Sequence, residues 1–369
     1  MNLMEVSIPL LVFLGGSLAF GVGIVLPFVV GRFSARNLVA STDREFATPP
    51  SIGVVIPAYL ESSVVGATVD ALRRQLHDWP GGFAVTVVAS DEETARAAEA
   101  HGARVVRCQP KGKPAAINLG VREATEDVIV LSDANCRLFP DDWPHLLCDV
   151  LRTADLVSGA KTESGGGETI YWWYESAVKT SRASQETLSV VGEFMAFRRE
   201  QFVPVPERTL TDDLTMAIDF ALRGLVVRTC PDIVTSEPPI HGREQLERRI
   251  RISAGHWAEA IPRWRRLLTV RAGLQFLAHK GYRMSIGALG FWLAVGAAVF
   301  LSPPWSVVAV AFTLIAAWLI YLRGYRVPAV IRLASTVIVL QVVTVLGLVR
   351  AVRRKVTSGS PPGWQKVAR

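Results

Sequence analysis

Three acidic residues in the first half of the chain each follow a short β-branched run, and that placement decides what chemistry is open to them. The run Val54-Val55-Ile56 ends in Pro57-Ala58-Tyr59-Leu60-Glu61. Asp91 follows Val85–Ala89, and Asp133-Ala134-Asn135 follows Val128–Leu131. Short apolar runs of this kind read as buried parallel strands, and in parallel sheets ligands gather beyond the carboxyl ends of the strands. Glu61, Asp91 and Asp133 are therefore expected around one crevice. Asp133 and Asn135, one residue apart, offer two side-chain oxygens to a divalent cation that would bridge phosphate oxygens. An acidic loop after a strand is otherwise a common solvated turn, so each acid alone says little. A further pair, Asp212-Asp213, precedes the helical run Leu214–Leu222, where Asp212 reads as a helix cap.

The elements that must position these residues alternate. Between the strand-like runs Ile52–Ile56, Val85–Ala89, Val105–Val106 and Val128–Leu131, the segments Ser63–Leu76, Glu92–His101 and Lys113–Ala124 have helical periodicity. Strand–helix alternation predicts an α/β domain with a mostly parallel sheet, which we bound at residues 51–245. The four cysteines, Cys108, Cys136, Cys148 and Cys230, have no paired spacing, so they point to neither zinc nor a redox motif and fit a reducing compartment.

Apolar segments flank that domain. Ser7–Val30 is long enough to cross a hydrocarbon core of roughly 30 Å, and we assign residues 7–31 as an anchor. A cleaved signal is disfavoured because Glu5, and no Lys or Arg, precedes a run longer than the usual h-region. Ser285–Leu301, Trp305–Leu322 and Pro328–Val349 make three more membrane segments within residues 284–350, followed by a basic tail, 351–369. Residues 246–283 hold the acceptor-side motif and amphipathic interface helices: from about His256 to Arg283, Trp257, Ile261, Trp264 and Leu268 recur at helical spacing among Arg263, Arg265, Arg266 and Arg271, which predicts a helix lying in the interface, unless Pro262 begins a shorter one or the helix packs on the soluble domain. Arg32 and Arg36 after the first span place the domain in the cytoplasm of a multi-pass protein of the cell membrane. Arg350, Arg353, Arg354 and Lys355 follow the last span, so either Ser285–Leu301 is re-entrant or the tail is an exception to the charge bias. Arg332, inside the last span, should face protein or a water-lined path.

The bulk figures agree with such a composite. Of 369 residues, 50% are hydrophobic, too many for a soluble enzyme throughout, and 20% are charged, too many for a membrane protein throughout. The formal net charge of +7 comes with no recognition-helix or stacking pattern, so it speaks for membrane lipids and against nucleic acid.

On its motifs the chain resembles the membrane-bound family 2 glycosyltransferases of GT-A fold, the group that includes cellulose, chitin and hyaluronan synthases. Pro57-Ala58-Tyr59-Leu60-Glu61 is similar to the family's opening Pro-Ala-x-Asn-Glu, with Leu60 in place of Asn. Lys111-Gly112-Lys113-Pro114-Ala115-Ala116-Ile117-Asn118-Leu119-Gly120 is similar to its Lys-x-x-Ala-Leu-Asn-x-Gly stretch. Asp133-Ala134-Asn135 resembles Asp-x-Asp with Asn for the second acid, and Thr211-Asp212-Asp213 resembles Thr-Glu-Asp. Gly192-Glu193-Phe194 resembles the small-residue segment on the acceptor side. Arg248-Arg249-Ile250-Arg251-Ile252 lines up with Gln-x-x-Arg-Trp, with Arg248 and Ile252 departing from it.

The resemblance implies a GT-A domain, a nucleotide-sugar donor (a UDP-sugar is expected), and Mg2+ or Mn2+ on Asp133 and Asn135. It implies donor contacts from Pro57, Ala58, Glu61, Asp91, Lys113, Asp133 and Arg251. Asp212, Gly192, Glu193, Phe194, Arg248 and Trp257 would lie on the acceptor side, and Asp213 would be the general base of an inverting transfer. The expected acceptor is a growing surface polysaccharide or glycan. A single transfer to a lipid (polyprenyl phosphate, ceramide- or hopanoid-like) is the alternative, because the sugar-stacking Trp is Ile252. An inactive membrane scaffold of the same fold is the third reading.

Overall fold

The computed structural model describes residues 3–33, 46–162, 174, 178, 186–237, 242–301, 304–323, 325 and 327–356, in two compact units. Arg36, Ser302 and Pro303, and the basic tail beyond Val356 lie outside the described residues.

The first unit, which holds residues 46–162 and 186–237, is built on one sheet. Strands β1 (Ile52–Ala58), β2 (Phe83–Ala89), β3 (Arg104–Arg107) and β4 (Val128–Ser132) run parallel in the order β3-β2-β1-β4. The helices Val65–Leu76, Glu92–Ala100 and Lys113–Glu123 connect them. Every residue of β1 and β4 is buried, which explains their uninterrupted apolar sequence. The chain moves outward from β1 to β3 and returns on the other side as β4, so a topological switch point falls between β1 and β4. Crevices at the carboxyl ends of such strands are where open α/β sheets bind ligands. Gly120 lets the helix Lys113–Glu123 lie directly on the sheet, since a Cβ there would collide with the side chains of Val55 and Val88.

Four strands not foreseen in the sequence complete the sheet as β3-β2-β1-β4-β7-β6-β8-β5, with β5 (Arg137–Phe139), β6 (Leu156–Thr162), β7 (Phe194–Arg198) and β8 (Val227–Ser236). β7 runs antiparallel to both β4 and β6, whereas β6 and β8 are parallel. The start of β7 therefore shares one edge of the sheet with the ends of β4, β6 and β8.

The turn after β1 shows why Asn is the expected residue at position 60. Leu60 has φ 55°, a left-handed conformation that Asn or Gly adopts more easily than Leu. Its N–H donates to Asp91 Oδ2 at 2.6 Å, which holds the backbone there.

The second unit holds the described residues 3–33 and 242–356, with 174 and 178. It has four helices long and apolar enough to cross a membrane: Ile8–Phe33, Arg271–Leu301, Trp305–Arg323 and Ala329–Lys355. Large apolar side chains such as Leu11, Leu18, Phe312 and Val330 stay exposed on them. The first two helices touch backbone to backbone. A Cβ on Gly16 would lie 2.5 Å from the Gly290 carbonyl, and one on Gly290 would lie 2.7 Å from the Gly16 carbonyl. Small residues permit that approach, and Phe20 and Phe291 close over it with centroids 5.5 Å apart. The helix Gly242–Gly255 packs Leu246 and Ile250 on Val339 and Val343 of the last helix.

Two expectations for this unit need correction. The segment after Gly255 is not one amphipathic helix. It passes through a π-helical turn His256–Ala260, a 3-10 turn Ile261–Arg263 and a short helix Trp264–Leu267 before Arg271 starts the next stretch. Pro262, which has no N–H to give, sits in the 3-10 turn. Trp257 and Trp264 consequently do not share a face: Trp264 and Leu268 are exposed, whereas Trp257 is half-buried and its indole N–H donates to the Thr344 carbonyl at 3.2 Å. The second candidate span, placed at Ser285–Leu301 from sequence, is the later part of a 31-residue helical stretch that begins at Arg271. Arg332 lies near the start of the last helix and donates to the Val327 carbonyl at 3.3 Å.

Two substitutions test these packing arguments. Leu60→Asn relieves the left-handed strain and is expected to stabilise the protein by about 1 kcal/mol, measured as a higher thermal midpoint; an unchanged or lower midpoint contradicts it. Gly290→Leu forces the two helices apart and is expected to destabilise by about 1–3 kcal/mol, seen as a lowered midpoint in detergent, with Gly290→Ala intermediate.

Candidate active site

The parallel strands deliver their loops to one edge of the sheet. At the end of β2, Asp91 caps the helix Glu92–Ala100 by accepting the Thr94 N–H through Oδ1 at 2.9 Å, while Oδ2 accepts the Leu60 N–H. The Glu61 N–H donates to Thr94 Oγ1 at 2.9 Å, so the β1 and β2 loops are tied together. Pro57 and Ala58 are buried within β1 and can offer a ligand only their backbone, while Glu61 is half-buried. Thr68 Oγ1 donates to the Ala134 carbonyl at 2.7 Å and fixes the loop after β4.

Asp133 and Lys113 form the centre. Lys113 Nζ lies 2.6 Å from Asp133 Oδ1 and 3.7 Å from Asp212 Oδ2. Lys113 stands at the first turn of its helix, set by Gly112 at φ 108° and followed by Pro114. Asn118 anchors the other face of that helix: its amide exchanges two hydrogen bonds with the Val205 backbone, at 2.7 and 2.8 Å. Burial opposes the charge on Lys113, but Asp133 and Asp212 outweigh it and hold the ammonium well above its ordinary range.

Asp213 is the second residue of the helix Asp212–Leu222, whose N-cap position is Thr211 and not Asp212 as the sequence suggests, and it accepts the Leu214 N–H at 2.8 Å. Burial pushes its carboxyl up to about 6, with the neighbouring Asp212 and then Glu193 adding to the rise, while the Leu214 N–H and Lys113 restrain it. Gly192 faces this carboxylate, since a Cβ there would sit 3.5 Å from Asp213 Oδ2. The arrangement joins a carboxylate poised to take a proton with a cation and an acidic loop at the switch point.

The structure thus brings together Lys113, Asp133, Asp212, Asp213, Gly192 and Glu193. Phe194 is corrected: it is fully buried and packs edge-on against Trp143, centroids 5.6 Å apart, so it serves the core and has no surface for an acceptor. Arg248, Arg251 and Trp257 belong to the second unit, where Arg248 is half-buried and Arg251 exposed on the helix Gly242–Gly255.

Two residues of the first unit escaped the sequence reading. Lys161 Nζ lies 2.8 Å from Glu193 Oε1 and 2.9 Å from Glu237 Oε2, and all three side chains are nearly inaccessible. A single Lys in Leu156–Thr162 and a Glu after β8 carry no motif. Only the strand register reveals that they meet.

For a metal, the side-chain oxygens of Asp133 and Asn135 are hard donors of the kind Mg2+ and Mn2+ prefer. Among the described residues no group of three or more His, Cys, Asp or Glu could enclose an ion. The donor set therefore fits an ion that takes most of its ligands from water and a bound phosphate.

Comparison with known proteins bears on the family and the fold. Residues 53–205 match the family model described as Glycosyl transferase family 2, and residues 151–321 match Glycosyl transferase family group 2. Uncharacterized glycosyltransferases of Mycobacterium tuberculosis and Mycobacterium bovis are 30% identical over 132 residues, 35% of this chain. The match spans only 56% of those relatives' own length. A solved mannosyltransferase of Pyrobaculum calidifontis, in complex with GDP-mannose and Mn2+, superimposes with a TM-score of 0.70 at 18% identity, covering 93% of this chain and 99% of its own. That likeness shows a shared fold. The two family models, which span residues 53–321 between them, show that this part of the chain is a family 2 glycosyltransferase domain.

Proposed function

We propose that the protein transfers a sugar, with inversion, from a nucleotide-diphosphate sugar to an acceptor at the membrane, with Asp213 as general base. The observation that carries this reading is the half-buried Asp213 carboxyl, raised to about 6, beside the Lys113–Asp133 pair at the switch point. A sugar hydroxyl ionises far above pH 7, so its attack on an anomeric carbon needs a carboxylate to accept the proton as the bond forms. A base whose affinity for protons lies near the working pH suits that step better than an ordinary Asp. Lys113 supplies positive charge where the diphosphate would leave, and Asp91 with the β1 loop forms the nucleotide side of the crevice. Asp133 and Asn135 would hold Mg2+ or Mn2+, whose charge neutralises a leaving diphosphate. Asn135 contributes a neutral oxygen, so Asp133 carries the ionic part of that binding.

A UDP-sugar is the donor we favour, and the GDP-mannose bound by the Pyrobaculum enzyme makes GDP-sugars the first competitor to test. A growing glycan is the favoured acceptor. Ile252, where the resemblance places a sugar-stacking Trp, supports the second reading, one transfer to a lipid.

A screen of UDP- and GDP-sugars with purified protein, reading nucleotide release and product, is expected to find one active donor and a divalent-metal requirement. Asp213→Asn should lower kcat by about 10²–10⁴-fold with donor binding retained. In the wild type, kcat/KM should fall tenfold per pH unit below about 6, as Asp213 takes up a proton in the free enzyme. A flat profile, or an Asp213→Asn variant of full activity, sinks the assignment of the base. Product that partitions wholly into organic solvent selects the lipid acceptor.

For localisation we propose a four-span membrane protein with the first unit in the cytoplasm, supported by the four apolar helices and by Arg32 in the last turn of the first. Protease added to intact spheroplasts should leave that unit uncut, whereas inverted vesicles should lose it; the opposite pattern rejects the orientation.

A further inference from the structure

We infer that Lys161 is a positioning residue for the transfer: by clamping Glu193 and Glu237 it fixes the Gly192-Glu193 turn that walls the Asp213 carboxylate. The inference rests on Asp213 being the base.

Lys161 Nζ makes ion pairs of 2.8 Å to Glu193 and 2.9 Å to Glu237, and the three side chains are 5%, 6% and 2% exposed. Burying charges in this way is poor value for stability alone, because well-packed apolar side chains of similar volume often serve as well or better. What the trio does supply is geometry. Lys161 is near the end of β6, Glu193 directly precedes β7, and Glu237 directly follows β8, so one ammonium ties together three strand ends of mixed direction. Glu193 is covalently next to Gly192, the residue that faces Asp213 Oδ2. Loss of the Lys161 contact removes one hold on Glu193 and so loosens that wall against the carboxylate.

The arrangement also has an electrostatic side. Among the described residues, the charged groups acting on Asp213 are Asp212, Lys113 and Glu193, with Asp133 behind Lys113 and Lys161 and Glu237 behind Glu193. Removing the Lys161 charge leaves Glu193 and Glu237 without the cation between them, and more negative charge then reaches the base.

The test uses the full chain in detergent with the active donor and four variants: Lys161→Met, Lys161→Arg, Glu237→Gln, and Lys161→Met combined with Glu237→Gln. Lys161→Met should lower kcat roughly tenfold or more, change donor KM by less than about threefold, and move the acid limb of kcat/KM upward. Lys161→Arg should retain most activity. The double variant, which removes one negative charge along with the positive one, should recover part of the lost kcat. A folded Lys161→Met protein with wild-type kcat and acid limb overturns the inference. So does a double variant no better than Lys161→Met, since a packing defect would not be relieved by removing a charge. If Lys161→Met does not fold, Glu237→Gln alone decides: an acid limb moved downward supports the clamp, and an unmoved limb rejects it. Asp213→Asn run in parallel separates the two failures. If it stays active the base is misassigned, whereas an inactive Asp213→Asn beside an indifferent Lys161→Met rejects the clamp alone.

Discussion

Negative charge crowded at one edge of a β-sheet is the constraint around which the first unit is arranged. Asp133, Asp212, Asp213, Glu193 and Glu237 gather there, with Lys113 and Lys161 between them. Burial and then the like charges of Asp212 and Glu193 oppose ionisation there, and the result is a higher proton affinity at Asp213. The same surplus makes the edge hospitable to cations and to protons. Each lysine handles one side: Lys113 reaches Asp133 and Asp212, and Lys161 reaches the two glutamates.

The reversal of β7 makes this crowding possible. A fully parallel sheet brings only strand ends to its ligand edge. An antiparallel strand between β4 and β6 brings a strand beginning there as well, and with it Gly192 and Glu193. The donor-side and acceptor-side halves of the resemblance therefore meet on neighbouring strands although some sixty residues separate Asp133 from Glu193 in sequence. Asp91 shows how closely structure and function share residues at this edge. Both of its oxygens accept main-chain N–H groups, so it builds the crevice it was expected to serve.

Much of the first unit was legible in the sequence because β1, β4 and most of β2 are buried and read as apolar runs, and the half-buried Val105-Val106 pair marks β3. β6 and β8 were not, since Ser158, Gly159 and Lys161 break the first and Cys230, Pro231 and Asp232 break the second. Motif spacing singled out Lys113, Asp133 and Asp213, which the structure brings close together. It misplaced Phe194, because a resemblance gives position along the chain and not the face a side chain occupies; register sends it inward to Trp143. Lys161 and Glu237 carry no local signal, and long-range strand pairing alone unites them. The segment from His256 misled for another reason. A 3.6-residue period was counted across Pro262 and two changes of helical pitch, and such changes rotate every later side chain away from the counted face.

The contact between Gly16 and Gly290 has a consequence in time. The N-terminal helix is synthesised about 270 residues before the helix it fits, a delay of roughly 14–54 s at 5–20 residues per second. Through that interval the glycine face of the first span has no mate from its own chain. The bare backbone at Gly16 leaves a groove that only a close-fitting helix fills, so the order of synthesis puts the pairing of these two apolar helices after the whole sheet-bearing unit has emerged.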